Sequence, residues 1–228
     1  MQTKVIPVIH YASDELALRN AEIAFDAGCE GVFLIDMDHD NDMLAPIAKV
    51  IKARWPDKLV GINFLGCKPA LAVLENITHG MDMTWTDAQP THSAAPSSRL
   101  AENVREAAAT RTGHLVFTGV AFKHQDFEPN PGLAALKALE FGFIPTTSGP
   151  ATGVAADVAK VAAIRQAIGP DAPLAIASGI TPENAAEFAP YLSHILVASG
   201  VSASFHELDF EKLYRLCAVV RGASANVS

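Results

Sequence analysis

Eight short apolar runs along this 228-residue chain each lead into a polar side chain that could bind an anion or move a proton. His10 follows the first run. Asp36, Asp38, His39 and Asp40 follow the second, and Asn63 ends the third. Asp87 comes after the fourth, Lys123 and His124 after the fifth, and a stretch from Thr146 to Gly153 after the sixth. Ser178-Gly179 and Ser199-Gly200 close the seventh and eighth. Polar groups gathered at one end of an apolar core are costly unless they are hydrogen-bonded or used. Lys123 follows Val120-Ala121-Phe122 and is expected to point inward. An inward lysine can be a Schiff-base nucleophile, a general base with a lowered pKa, or an anion partner. The competing reading is a lysine that reaches solvent or pairs with Asp87 or Asp36. Asp36, Asn63, Asp87, His10 and His124 complete the candidate catalytic set, with Asp36 suited to acid/base work because it stands nearest its strand end.

The last three loops are small and rich in donors. Ser148, Gly149, Thr152, Gly153, Ser178, Gly179, Ser199 and Gly200 form a candidate phosphate site, since glycine lets backbone N–H groups approach an anion. The same glycines could instead serve only to make tight turns. Asp36, Asp38 and Asp40 would fall on one side of a continuing strand, where a divalent metal could bind, although the spacing matches no metal motif. No cofactor is otherwise implied. His79, His114, His194 and His206 fall at helix ends or strand starts and are read as structural, and Phe64 and Trp85 as possible pocket walls.

Strictly alternating segments must position these groups. Runs at 5–9, 31–35, 59–64, 81–86, 115–122, 143–147, 173–177 and 194–198 are β-branched and apolar. Between them lie helical patterns with start signals at Ser13, Pro69, Asn130-Pro131, Thr181-Pro182-Glu183 and Asp209. Repeated strand–helix units imply a parallel sheet covered by helices, and eight of them without a long linker imply a single closed (β/α)8 barrel, a TIM barrel, over residues 1–222. Residues 223–228 are expected to form a frayed tail. The alternative, an open doubly wound sheet, should show a glycine-rich turn after its first strand, and Tyr11-Ala12-Ser13-Asp14 is not one.

Composition narrows the function classes. The net charge is -8, which opposes both nucleic-acid and anionic-membrane partners. Cys29, Cys67 and Cys217 are odd in number and scattered, as suits a reducing compartment. No apolar run approaches the roughly 20 residues that span a bilayer, so a cytoplasmic protein with a small-molecule ligand is expected. A homo-oligomer is compatible with everything in the sequence.

Two resemblances follow from these residues. Ser178-Gly179-Ile180-Thr181-Pro182-Glu183-Asn184 with Ala198-Ser199-Gly200-Val201 resembles phosphoribosylanthranilate isomerase. That enzyme carries a cysteine base after strand one and an aspartic acid after strand five, where this chain has His10 and Lys123. The chain is more broadly similar to the BtpA/SgcQ family, at Gly61-Ile62-Asn63-Phe64-Leu65, Phe122-Lys123-His124, Thr147-Ser148-Gly149-Pro150-Ala151-Thr152-Gly153 and the turn from Ser178 to Asn184. It departs from that family after strands one and two. Tyr11-Ala12-Ser13-Asp14 replaces a Pro- and Gly-rich loop, and Ile35-Asp36-Met37-Asp38 replaces a Glu-Asn-containing end. The resemblance implies a barrel; one member is named for photosystem I biogenesis, and others look like sugar or nucleoside enzymes. Residues and resemblance together suggest an enzyme acting on a sugar phosphate or nucleotide-like metabolite, with isomerase, lyase and nucleosidase chemistry open. The alternative is a non-catalytic assembly factor of the BtpA type.

Overall fold

The computed structural model describes residues 2–96 and 98–225. Its elements alternate as β1 (Lys4–His10), α1 (Asp14–Asp26), β2 (Gly31–Ile35), α2 (Leu44–Arg54), β3 (Leu59–Asn63), α3 (Pro69–Thr78), β4 (Met83–Thr86) and α4 (Arg99–Ala108). The second half repeats the scheme: β5 (Leu115–Gly119), α5 (Pro131–Glu140), β6 (Ile144–Ser148), α6 (Val158–Ile168), β7 (Ala175–Ala177), α7 (Ala185–Phe188), β8 (His194–Val197) and α8 (Phe210–Ala225). All neighbouring strands are parallel, and β1 pairs with β8 through Val5 opposite Ile195 and Ile6 opposite Leu196, closing the barrel.

Both strand faces are buried, which is why the strands read as continuous apolar runs. Outward residues such as Val32, Leu34, Val60, Ile62 and Val116 pack beneath the helices. Inward residues, among them Ile6, Val8, Phe33, Met83, Phe117 and Leu196, fill the barrel. Phe33 fits because β3 offers Gly61 beside it, where an added Cβ would stand 2.5 Å from the Phe33 ring.

Helix starts follow the sequence signals. Ser13 Oγ accepts from the Leu16 N–H, Asn130 Oδ1 from Leu133, and Asp209 Oδ1 from Lys212. Element bounds differ from expectation at several points. β4 begins at Met83 rather than 81, and β5 stops at Gly119, short of residues 120–122. The Thr181-Pro182-Glu183 start opens a turn, in which Thr181 Oγ1 accepts from Glu183 N–H, before the short α7. α8 continues past Gly222 to Ala225, because the chain keeps its helical hydrogen bonds where a tail was expected. The remainder of that expected tail, residues 226–228, lies outside the described residues. No described helix is long and apolar enough to cross a membrane.

His114 and His194, both read as structural, are built into the barrel's N-terminal half. His114 Nε2 lies 2.8 Å from Thr84 Oγ1, and His194 Nδ1 lies 2.7 Å from Ser193 Oγ. Burial pushes both rings from the ordinary 6.5 down to about 4. Between those values the unfolded chain takes up protons that the folded chain refuses, so stability falls as pH drops from 6.5 towards 4. Urea unfolding at pH 7 and pH 5 should show a lower midpoint at pH 5, and a smaller drop in His194→Phe. Equal midpoints at the two pH values would refute this account of the two rings.

Candidate active site at the barrel mouth

Strand alternation decides which candidates reach the barrel axis. Val8, Trp85 and Leu196 face inward, so His10, Asp87 and Ala198, two residues further along, do so as well, and all of them border one cavity of about 430 Å³ at the C-terminal ends of the strands. Asn63 follows inward Gly61 and lies behind Asp87, donating from Nδ2 to Asp87 Oδ1 over 3.3 Å. Ile35 faces inward, so Asp36 turns outward. Its Oδ1 accepts from the Asp38 N–H at 2.8 Å, and it does not border the cavity. The acid/base role expected for Asp36 is therefore corrected: the nearest residue to the strand end has the wrong parity. Among the described residues no three His, Cys, Asp or Glu side chains are grouped to hold a metal.

Lys123 arrives by a different route, on a loop rather than a strand. After Gly119 the chain turns through Ala121, at φ 47°, and His124, at φ 61°. Both are left-handed conformations that non-glycine residues adopt at a cost. The backbone N–H of Lys123 donates to Ser148 Oγ at 2.8 Å, and its ammonium donates to Thr152 Oγ1 at 2.9 Å. Gln125 Nε2 ties the end of this turn to the Asp87 carbonyl at 2.6 Å. Burial pushes the Lys123 amine below its ordinary range, and the Asp87 charge only partly restores it. Asp87 keeps contact with solvent because the cavity is open. The enclosing walls nevertheless displace enough water to raise its carboxyl, against the lowering effects of Asn63 and Lys123. Among the described residues no ion pair within 4.0 Å joins the two. The two shifts move the amine and the carboxyl towards each other in one cleft, an arrangement that could serve proton transfer.

The loops after β7 and β8 supply the other polar wall. Ser178, Gly179, Ser199, Gly200 and Thr152 border the cavity, and the N–H groups of Gly179, Ser199 and Gly200 have no acceptor among the described residues. Ser178 is itself left-handed at φ 77°, with its hydroxyl accepting from Gly153 N–H at 2.8 Å. Three members of the expected phosphate set do other work. Gly153 is engaged by that bond. Ser148 Oγ is engaged by Lys123. Gly149 lets the β6 loop return, since an added Cβ would stand 2.0 Å from Val154 O.

The remaining walls are apolar: Met37, Leu65, Trp85, Phe122 and Phe205. Trp85 was expected there, whereas Phe64 packs outside the barrel, beneath the helices. Phe205 could not be foreseen, because it is carried in by the loop before α8. A histidine clamp holds that loop. His10 Nδ1–H donates to Phe205 O at 3.0 Å, since a carbonyl can only accept, and His206 Nδ1–H returns a bond to His10 O at 3.3 Å. Asn20 adds bonds to His206 O at 2.7 Å and from Leu208 N at 2.9 Å. Burial lowers the His10 pKa, which favours the neutral ring, and with Nδ1–H donating to Phe205 O that form leaves Nε2 to accept. His124 borders the cavity with an exposed side chain.

No protein-family model matches the chain, and no curated protein matches it. Solved structures do. Phosphoribosyl anthranilate isomerase from Thermus thermophilus superposes at TM-score 0.65 with 18% identity, covering 96% of this chain and 99% of the other. The native KDPGal structure gives 0.69 with 19% identity over 100% and 98% of the two chains. 3-Hexulose-6-phosphate synthase gives 0.69 with 14% identity over 95% and 99%. At these identities the likeness establishes the (β/α)8 barrel fold.

The lowered Lys123 pKa carries a stability cost. At neutral pH the folded chain holds a poorly hydrated ammonium that the unfolded chain solvates freely, and this cost fades as pH rises from the folded towards the unfolded pKa. Lys123→Met should therefore be at least as stable as wild type at pH 7, with its advantage shrinking towards pH 10.5. Chemical unfolding at the two pH values checks this, and a clear destabilisation at pH 7 would make Lys123 a structural residue.

Proposed function

We propose that this barrel is an enzyme acting on a small phosphorylated metabolite, with the phosphate held by the loops after β7 and β8. The reacting groups are Lys123 and Asp87. The carrying observation is that one open cavity combines this amine–carboxyl pair with the N–H groups of Gly179, Ser199 and Gly200, which have no acceptor among the described residues. Barrels of this class commonly bind phosphate after strands seven and eight. The names of two structural neighbours, a phosphoribosyl anthranilate isomerase and a hexulose-6-phosphate synthase, support a phosphorylated substrate in general. The resemblance to the BtpA/SgcQ family, with members that look like sugar or nucleoside enzymes, agrees with this class. An open mouth favours the enzyme over an assembly factor.

In the reaction the lowered pKa of Lys123 leaves more of it as neutral amine, able to take a proton or add to a carbonyl carbon. Asp87, with a raised pKa and a hydrogen bond from Asn63, donates or recovers the proton on the opposite side. Isomerase, lyase and nucleosidase reactions each need only this pair and an anion clamp. Met37, Leu65 and Phe205 give a planar apolar part of a nucleotide-like ligand a surface to pack on, while His10, His124 and Gln125 give sugar hydroxyls partners, so both ligand classes fit the walls.

A thermal-shift panel of inorganic phosphate, ribose 5-phosphate, other sugar phosphates and nucleoside monophosphates, with and without Mg²⁺, tests the reading. A ligand at about 100 times its dissociation constant adds about 2.7 kcal/mol, visible as several degrees in a domain of this size. Phosphate esters should shift wild type but not Ser199→Asp, which places a negative charge at the anion end. A flat response throughout the panel would overturn the phosphate site.

A further inference from the structure

Lys160 breaks a local rule. It lies in the first turn of α6, three residues after the cap Asp157, where the helix dipole disfavours a cation. Its ammonium is also half-buried, and lost hydration lowers its pKa. A cation placed against both effects needs compensation, and Lys160 finds it in two main-chain carbonyls: Ala121 O at 2.8 Å and Ser148 O at 2.7 Å.

Both acceptors belong to the support of Lys123. Ala121 is the left-handed residue that turns the chain after β5, and its carbonyl also lies 3.5 Å from Thr147 Oγ1. Ser148 accepts a hydrogen bond from the Lys123 N–H through Oγ and donates its own hydroxyl to Gly149 O at 2.8 Å. The segment 122–125 needs such support because it borders the mouth on one side and a separate groove of about 590 Å³ on the other. It is a partition without a packed layer behind it. Lys160 stands on the groove side, fastening the partition's first turn to the end of β6.

We propose that Lys160 is a positioning residue, which holds the 120–125 turn in its left-handed course and so keeps the Lys123 amine inside the mouth. The proposal rests on the reading of Lys123 as the reacting amine. Without the two bonds Ala121 can relax from its unfavourable φ, and the Lys123 side chain can move out to solvent. The charged and titratable groups around the two lysines are Asp87, His10 and His124 beside Lys123, and Asp157 beside Lys160. Asp126 and Glu128 border the groove.

Competitive labelling with acetic anhydride across pH, followed by peptide mass spectrometry, gives the titration of each lysine in the whole protein. In wild type Lys123 should titrate below the ordinary 10.5. Lys160→Met should move it back up and lower its acetylation rate at pH 8 several-fold. Lys137, bonded to the carbonyls of His92, Ser93 and Ala95, should be unchanged and serves as internal reference. Lys160→Arg, which keeps charge and donors, should retain the wild-type titration of Lys123. Identical Lys123 titration in wild type and Lys160→Met would overturn the positioning role while leaving Lys123 itself intact as the reacting amine. An ordinary Lys123 in wild type would overturn the reading of Lys123, and this proposal with it. If Lys160→Met fails to fold, Lys160→Gln is compared with Lys160→Arg: an upward shift in Gln alone supports the role, and none in either overturns it.

Discussion

A column of aromatic rings runs edge to face through the barrel, from His194 through Phe117 and Phe33 to Trp85 and then Phe122, with centroids between 5.2 and 6.4 Å apart. Rings of this kind bury about 150–250 Å² each, and a well-placed pair adds roughly 0.5–1.5 kcal/mol beyond area burial. The column makes the interior a solid plug rather than a channel. Strand alternation delivers the rings inward, and Gly61 leaves room for Phe33. Because the plug closes the barrel from below, the polar groups that a ligand can reach lie above Trp85. The mouth is a pit with an apolar floor, and a ligand enters it from one end.

That geometry sets the electrostatics. Lys123 and Asp87 stand above an apolar floor that solvates neither, so burial moves the amine down and the carboxyl up. Their mutual attraction only partly offsets this, because the two remain apart. The arrangement depends on loops that would not hold their shape alone. The β5 loop contains two left-handed residues and is tied to Ser148, Thr152, Asp87 and Lys160. The loop before α8 is clamped onto His10 and Asn20. Strain and desolvation at one end of a well-packed barrel are the pattern expected where a site is kept ready for a ligand.

The barrel was legible because parallel strands buried on both faces read as apolar runs, and because Ser13, Asn130 and Asp209 cap helices as their types predict. The placement of candidate residues was legible where alternation alone decides, with His10 and Asp87 at the mouth and Asn63 behind Asp87. Proximity to the strand end does not reveal the place of Asp36, because Ile35 faces inward and parity turns its neighbour away from the mouth. Nor does apolar character mark a strand at residues 120–122, which are apolar because Phe122 packs on Trp85 rather than because the chain is extended. Gly149 looked like part of an anion cradle, yet serves the close return of Val154. Phe205 and Lys160 carried no readable signal of their own, since their roles exist only after distant segments have met. The exception is that a lysine in the first turn of α6 was locally out of place, and such a conflict marks a residue with tertiary work to do.

The central claim is that one anionic group binds against the loops after β7 and β8, in the cavity that Lys123 also lines. The most direct test is to grow crystals, soak them in tungstate as a heavy stand-in for phosphate, and locate the ion by anomalous scattering. The account predicts an ion within hydrogen-bonding reach of the N–H groups of Gly179, Ser199 and Gly200. An ion found in the groove beside Lys160 instead, or an empty mouth in crystals that take up tungstate elsewhere, would contradict it.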